Sequence, residues 1–438
     1  MYIWSFHRRG YDQKACKCLH ANNSQGGALT ATLFFETTDS AMNKLCNVFS
    51  KLGLVIGVAA FIALLAGCSS SQKAIKVDEA RVKEFVQHGY DSGIDYEATT
   101  SKFLLKVDNE FNQVTVVQPI RNGKYPLIIY LPGLGESSEA GKGMRNAWAK
   151  SGYVVLAIQP LKEDENIWSS DAALRAEFSN IRHERYSSEV ISSRLNVLAK
   201  LLEYIKQGTM SGDQTLFRVD LAQIAVVGFD VGASTAMIAS GEDVPNVSKA
   251  GLSIQPNVAI ALSPHVDFIG AALDSRYQNI SIPTLSVTSD ADDETHEAGS
   301  ISLHQVPFQH MPPGNKFLLL LSGASHALIG DADLTNDVQM EGKDGSKQTE
   351  HEDSGNSSGR SRGGRHGKNG SGSKGKGTAT SRHEEERSPT QRAKAEVALE
   401  QVTTAFLNAY VKNDRFAIEW LNKDAQPWLY GIGQLQEK

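Results

Sequence analysis

Gly228-Phe229-Asp230-Val231-Gly232 sets an acid between two glycines, where an apolar run (Ile224–Val227) meets a segment rich in Ala and Ser. In a strand–turn–helix context the middle residue of such a pattern projects from a sharp turn, a place suited to presenting a nucleophile. Downstream, the run from Pro283 ends in the acids Asp290, Asp292 and Asp293, and the run from Phe317 leads into His326. The chain order is therefore nucleophile, acid, histidine. In that set an acid fixes the imidazole tautomer and the imidazole moves a proton. Ser234 lies one helical turn beyond Asp230, so its side chain points along the helix rather than out of the turn. His183, His265, His304 and His310 lack paired ligand spacing, so no metal is expected. Gly133-Leu-Gly135 lacks the third glycine of a dinucleotide loop, and no cofactor is expected.

The elements that must hold these residues follow from hydrophobic patterning. Pro126–Leu131, Tyr153–Ile158, Ile224–Val227, Val258–Leu262, Thr284–Thr288 and Phe317–Leu321 read as short buried strands. Helical patterns alternate with them: residues 144–150, the Ile191-Leu195-Leu198-Leu202-Ile205 stripe closed by Gly208, and a helix from about Val231. Such alternation predicts an α/β fold, a mainly parallel sheet with helices on both faces. The stretch from Tyr96 to Pro119 mixes β-branched and polar residues and reads as an antiparallel edge. Leu399, Val402, Phe406 and Tyr410 share one face of a C-terminal helix, and Trp420 and Trp428 read as packing residues in the tail behind it.

A net charge of −6 over 438 residues gives no global reason for nucleic-acid binding. The four cysteines, Cys16, Cys18, Cys46 and Cys68, all precede the folded region, which excludes a disulfide framework there. Residues 52–66 form an apolar run of signal-peptide length after Lys44 and Lys51. The run ends Leu65-Ala66-Gly67-Cys68, which resembles a bacterial lipobox. That resemblance implies lipidation at Cys68, a lipid-anchored place in the cell envelope and, with Ser69 following, sorting to an outer membrane. The expected organisation is an over-called extension (1–41) before a start at Met42, a signal peptide (42–67) and a tether (68–95). An α/β core (96–340), a Gly/Ser/basic disordered insertion (341–390) and a C-terminal helix and tail completing the core (391–438) follow. The insertion carries basic residues and no large apolar ones between Gly355 and Gly377, so it lacks the apolar area to offset its ordering entropy.

Several segments together resemble the α/β-hydrolase superfamily, in particular dienelactone-hydrolase-like bacterial proteins. The chain is also similar to platelet-activating-factor acetylhydrolase and cutinase-like hydrolases. The matching pieces are Leu131-Pro-Gly-Leu-Gly-Glu-Ser137, Gly228–Gly232, Leu262-Ser-Pro264, Pro283–Asp293, Met311–Leu319 and Gly323-Ala-Ser-His326. The resemblance implies Asp292 as catalytic acid, His326 as catalytic histidine and the backbone amides of Leu134 and Val231 as the oxyanion hole. It implies a small-molecule or lipid ester as substrate. Asp230 stands where that family has serine. A carboxylate attacking an ester would give a mixed anhydride, and it sets a fixed negative charge beside a hole built for an oxyanion. The function expected is an envelope hydrolase of carboxylic esters. The alternatives are an inactive binding protein of the same fold, and an aspartate-nucleophile hydrolase of epoxide or carbon–halogen bonds. Against the last stand a short Leu262–Thr284 gap, with no room for a cap domain, and Val231 where those enzymes have tryptophan.

Overall fold

The computed structural model describes residues 76–332 and 388–438, apart from positions 164, 214, 250, 253–254, 267–271 and 294–300. Cys68, the extension and signal segments, and residues 341–387 of the basic insertion lie outside the described residues.

The apolar runs become strands of one nine-stranded, mostly parallel sheet in a mixed α/β fold. In chain order these are β1 (Ala98–Val107), β2 (Glu110–Pro119), β3 (Tyr125–Leu131), β4 (Val154–Pro160), β5 (Val219–Phe229), β6 (Val258–Leu262), β7 (Thr284–Ser289), β8 (Lys316–Leu321) and β9 (Gly433–Glu437). Their order across the sheet is β1-β2-β4-β3-β5-β6-β7-β8-β9. The central pairs from β4 to β8 are parallel, whereas β1 and β2 at one edge and β9 at the other run antiparallel. The edge segment expected over Tyr96–Pro119 is a hairpin, turning through Asp108 at φ 52°. The C-terminal strand β9 carries too little apolar patterning to be foreseen; it closes the β8 edge.

Helices cover both faces. They are α1 (Glu79–Gln87), α2 (Lys142–Lys150), α3 (Asp171–Leu174), α4 (Phe178–Arg185), α5 (Ser188–Ser211), α6 (Val231–Ala239), α7 (Leu273–Tyr277), α8 (Val306–His310), α9 (His326–Ile329), α10 (Pro389–Tyr410), α11 (Arg415–Lys423) and α12 (Ala425–Trp428). Strand β3 shows how the layers form, because successive side chains leave opposite faces. Ile128 and Tyr130 join a core with Trp148 of α2 and Leu399, Val402 and Phe406 of α10. Leu127, Ile129 and Leu131 join the opposite core with Leu195, Leu198 and Leu202 of α5. Every residue of β3 and of β4 is buried, as a parallel strand covered on both faces requires. Helix α5 passes the expected stop at Gly208 and ends at Gly212, whose φ of 74° makes the left-handed cap.

Helix α1 lies within the segment expected to be tether. It is packed: Phe85 stacks on Trp428 with ring centroids 4.2 Å apart, and the Trp428 indole N–H donates to the Phe85 carbonyl at 2.9 Å. Ile75–Lys438 is accordingly one compact unit.

A polar network crosses the α5 face of the sheet. Arg194 of α5 is paired with Glu163, both almost fully buried. Arg194 Nη2 donates to the Pro132 carbonyl at 3.0 Å and Nε to Thr235 Oγ1 of α6 at 3.3 Å. Gln159 at the end of β4 donates to the carbonyls of Gly133 and Glu163, each at 2.9 Å, and the Gly135 amide donates to the Glu163 carbonyl at 3.1 Å. The loop after β3 is thus fixed at Pro132, Gly133 and Gly135. A buried ion pair gives little net stability against an apolar isostere, but removing one partner strands the other charge at a cost of roughly 3–5 kcal/mol. Arg194→Met should therefore lower stability by about that amount in denaturant titration, and R194M/E163Q should recover most of it. Equal losses in single and double variants would show that the pair does not hold the loop.

Candidate active site

The β5–α6 turn places Asp230 at φ 54°, ψ −119°, a left-handed conformation that costs on the order of 1–3 kcal/mol for a residue bearing a Cβ. Its amide donates to the Leu262 carbonyl at 3.0 Å, tying the turn to β6. The two glycines are sterically required. A Cβ on Gly228 would lie 2.1 Å from the Gly232 carbonyl oxygen, and one on Gly232 would lie 1.9 Å from the Leu131 carbonyl oxygen. The G-x-D-x-G pattern is therefore the condition for the turn to close against the β3 loop.

The carboxylate of Asp230 is held by both oxygens. Oδ2 accepts the Leu134 amide at 2.9 Å, and Oδ1 accepts the hydroxyl of Tyr186. Val231, the first residue of α6, has by position an amide with no intrahelical acceptor. The two amides expected as an oxyanion hole thus flank Asp230, and the first is engaged by the carboxylate itself. Tyr186 was not singled out in the sequence. It follows α4, in a stretch of short helices between β4 and α5 that carries no strong apolar period.

Of the three acids after β7, Asp292 is the one that meets His326. His326 Nδ1 lies 2.8 Å from Asp292 Oδ1, and the aspartate is fully buried. Asp290 instead accepts the Gly323 amide at 2.6 Å, and Asp293 is exposed. Thr288 donates to Asp292 Oδ2 at 2.6 Å. Ser263, also at positive φ, donates to Asp292 Oδ1 at 2.9 Å and lies 3.0 Å from His326 Nδ1. The Leu262-Ser-Pro264 piece belongs to the resemblance, but nothing in the sequence gave Ser263 this task. Phe229 packs on the imidazole with centroids 4.6 Å apart. Ser234 sits one turn into α6, its amide bonded to the Asp230 carbonyl at 3.2 Å.

Electrostatics follow from three acids around one imidazole. Burial acts to lower His326, but the Asp292 hydrogen bond and the charges of Asp230, Asp292 and Glu136 outweigh it and favour the imidazolium. Burial would raise Asp292, yet the hydrogen bond and charge of His326, with His304 and Thr288, hold it below the ordinary value. Glu136 is half-buried and accepts the Gly133 amide at 2.8 Å. Desolvation, only partly opposed by that bond, and the charge of Asp230 push its carboxyl up to about 7.

No family model matches the chain, and no curated protein matches it. What the site can do rests on its geometry.

Glu136 yields a measurable consequence. Its folded pKa is raised, so the native state keeps a proton that the unfolded chain loses near pH 4.5. Stability from this group is full below that pH and falls as pH rises through about 7. Glu136→Gln should flatten the decline of melting temperature between pH 4.5 and 7, removing a dependence of on the order of 1–2 kcal/mol after allowance for partial exposure. An unchanged pH profile in E136Q would remove Glu136 from the account.

Proposed function

We propose that the chain is a hydrolase of α/β-hydrolase type in which Asp230 is the nucleophile toward a saturated carbon, in an epoxide or a carbon–halogen bond. The strand order, the strained turn after β5 and the Asp292–His326 pair support the fold-type assignment. The observation that carries the chemistry is the 2.9 Å bond from the Leu134 amide to Asp230 Oδ2. A serine enzyme needs its hole to receive an oxygen of the substrate ester. With a carboxylate nucleophile, the carbon that becomes tetrahedral is Asp230 Cγ itself. The oxyanion then forms on Asp230 Oδ2, and effective donors lie 2.7–3.1 Å from where that oxygen sits. Carboxylic esters, the substrates implied by the resemblance, fit this arrangement less well because their oxygen would have to displace the carboxylate. The short Leu262–Thr284 connection also weighs less than the sequence suggests, since residues between β4 and α5 bring Tyr186 onto Asp230.

In the first step Asp230 Oδ1 attacks carbon and leaves an alkyl ester on Asp230; a carbon–halogen bond breaks to release halide with the bonding pair, whereas an epoxide C–O bond opens to an alkoxide that stays on the substrate and takes a proton from water. In the second, neutral His326 takes a proton from water and the hydroxide adds to Cγ. The Leu134 amide, with that of Val231, stabilises the charge on Oδ2. Collapse expels the alkoxide, which takes the proton from His326, and the regained carboxyl ionises. Asp292, held by Ser263 and Thr288, keeps the imidazole oriented throughout. We also propose that Cys68 carries a lipid anchor that keeps the hydrolase at a membrane of the envelope.

His326→Gln should stall the second step. Incubated with epoxides and haloalkanes, H326Q should accumulate an alkyl adduct on the Asp230 peptide in mass spectra, with turnover down about 10²–10⁴-fold. Wild-type turnover should rise with pH through a midpoint above the ordinary histidine value, because the surrounding acids hold His326 protonated. Turnover in Asp230→Asn equal to wild type, or esters cleaved with no adduct on Asp230, would overturn the reading.

A further inference from the structure

Large apolar side chains stand exposed on the elements around α1 and the C-terminal helices. Tyr430 is 90% exposed and Phe416 57%, and Val77, Val86 and Ile94 are exposed as well. Hydrogen bonds bring the outer two segments together at the start of α10. The Asp78 amide donates to Thr390 Oγ1 at 2.8 Å, and the side-chain amide of the next residue, Gln391, donates to the Gly431 carbonyl. Val77 and Tyr430 therefore flank the same helix end.

A packed aromatic base carries the rest. Ring centroids are 4.2 Å apart for Phe85–Trp428, 5.5 Å for Trp428–Trp420, 5.4 Å for Trp420–Tyr90 and 5.9 Å for Tyr90–Phe416. Phe85, Tyr90 and Trp420 are buried, so Phe416 is held at the outer end of a fixed stack. Tyr430 stands before Gly431, whose φ of 75° makes the turn between α12 and β9. Charge is balanced here: α1 sets Arg81 and Lys83 against Glu79 and Glu84, and on α11 Lys423 pairs with Glu419 at 2.6 Å. What the surface offers a partner is apolar and aromatic rather than a net field.

We propose that this surface, from Val77 and Tyr430 to Phe416, lies on a lipid bilayer, with Phe416 and Tyr430 at headgroup depth. The proposal rests on the reading that Cys68 carries a lipid. Cys68 stands nine residues before Val77, so a lipid there keeps Val77 within about 30 Å of the membrane. That length of chain sets a distance and leaves the orientation open. The apolar surface nearest the point of attachment sets the orientation. An exposed tyrosine, with an apolar ring and a polar tip, is suited to the boundary between headgroups and hydrocarbon.

The test is a depth measurement on the full chain, recovered from the membranes of a bacterial host and returned to phosphatidylcholine vesicles. An environment-sensitive fluorescent amino acid replaces either Tyr430 or Met210. Met210 is 81% exposed, but it belongs to α5, which packs on the opposite face of the sheet from α10. Nitroxide-bearing lipid should quench the probe at position 430 about twofold and leave the probe at 210 unchanged, and molar salt should not reverse the contact, because an apolar contact is not screened. Phe416→Ser should at least halve the quenching at 430 without lowering the melting temperature, since that side chain is exposed. A probe at 430 that stays in water, or equal quenching at 430 and 210, would overturn the membrane face; cross-linking of two chains through position 430 would then give the surface to a second copy. The mass of the peptide bearing Cys68 tests the anchor separately. No lipid on Cys68, with the probe at 430 still quenched, would remove the anchor and leave the face.

Discussion

The site depends on a buried ion pair that has no chemical role of its own. Arg194 and Glu163, with Gln159, fix the loop after β3 at Pro132, Gly133 and Gly135. Glu136 takes the Gly133 amide. What remains in the middle of that loop is the Leu134 amide, and it points at Asp230. The close approach of Gly232 to Leu131 fixes the same loop from the other side. A hole built from backbone needs such external constraint, because a loop amide has no side chain to steer it. The cost is charge burial, which the network offsets through hydrogen bonds rather than through packing.

A second constraint is the density of acids. Asp230, Asp292 and Glu136 act on one histidine, and Asp331 acts in turn on Glu136. Asp292 stays ionised because His326, Ser263 and Thr288 all serve it. Glu136 and Asp331 are raised chiefly by desolvation, which outweighs their backbone hydrogen bonds and the opposing charges of His326 and Arg145. Asp331 nonetheless accepts the Met144 amide at 2.8 Å, where it anchors the start of α2. Asp230 keeps two donors. The result is an electrostatic gradient across a few residues, with the imidazolium as its counter-charge and the Leu134 amide as the element that decides where new negative charge can form.

The sequence carried the parts of this plan that are local. Buried parallel strands read as continuous apolar runs, so β3, β4, β6, β7 and β8 were legible, and the Gly-flanked turn was legible because glycine is sterically forced there. The acid–histidine order was visible as well, although choosing Asp292 over its neighbours took the three-dimensional register of the β7 end. What stayed hidden depends on long-range meeting. Arg194 sits among Leu195 and Leu198 on a helix face that reads as apolar, and its partner is 31 residues away. Tyr186 reaches Asp230 from a stretch without periodicity. Ser263 gains its role only because the β6 end lies beside β7. Helix α1 had too weak an apolar face to be told from tether until Trp428, far along the chain, supplied its partner.

The claim on which this account turns is that Asp230 itself forms the bond to carbon. The most direct measurement is a single turnover with enzyme in excess in water enriched in oxygen-18, once a substrate is found. The account predicts that the product alcohol carries ordinary oxygen taken from Asp230 and that the label appears in the Asp230 side chain. Label delivered straight to the product, with Asp230 unlabelled, would mean that water attacks substrate directly and would contradict it.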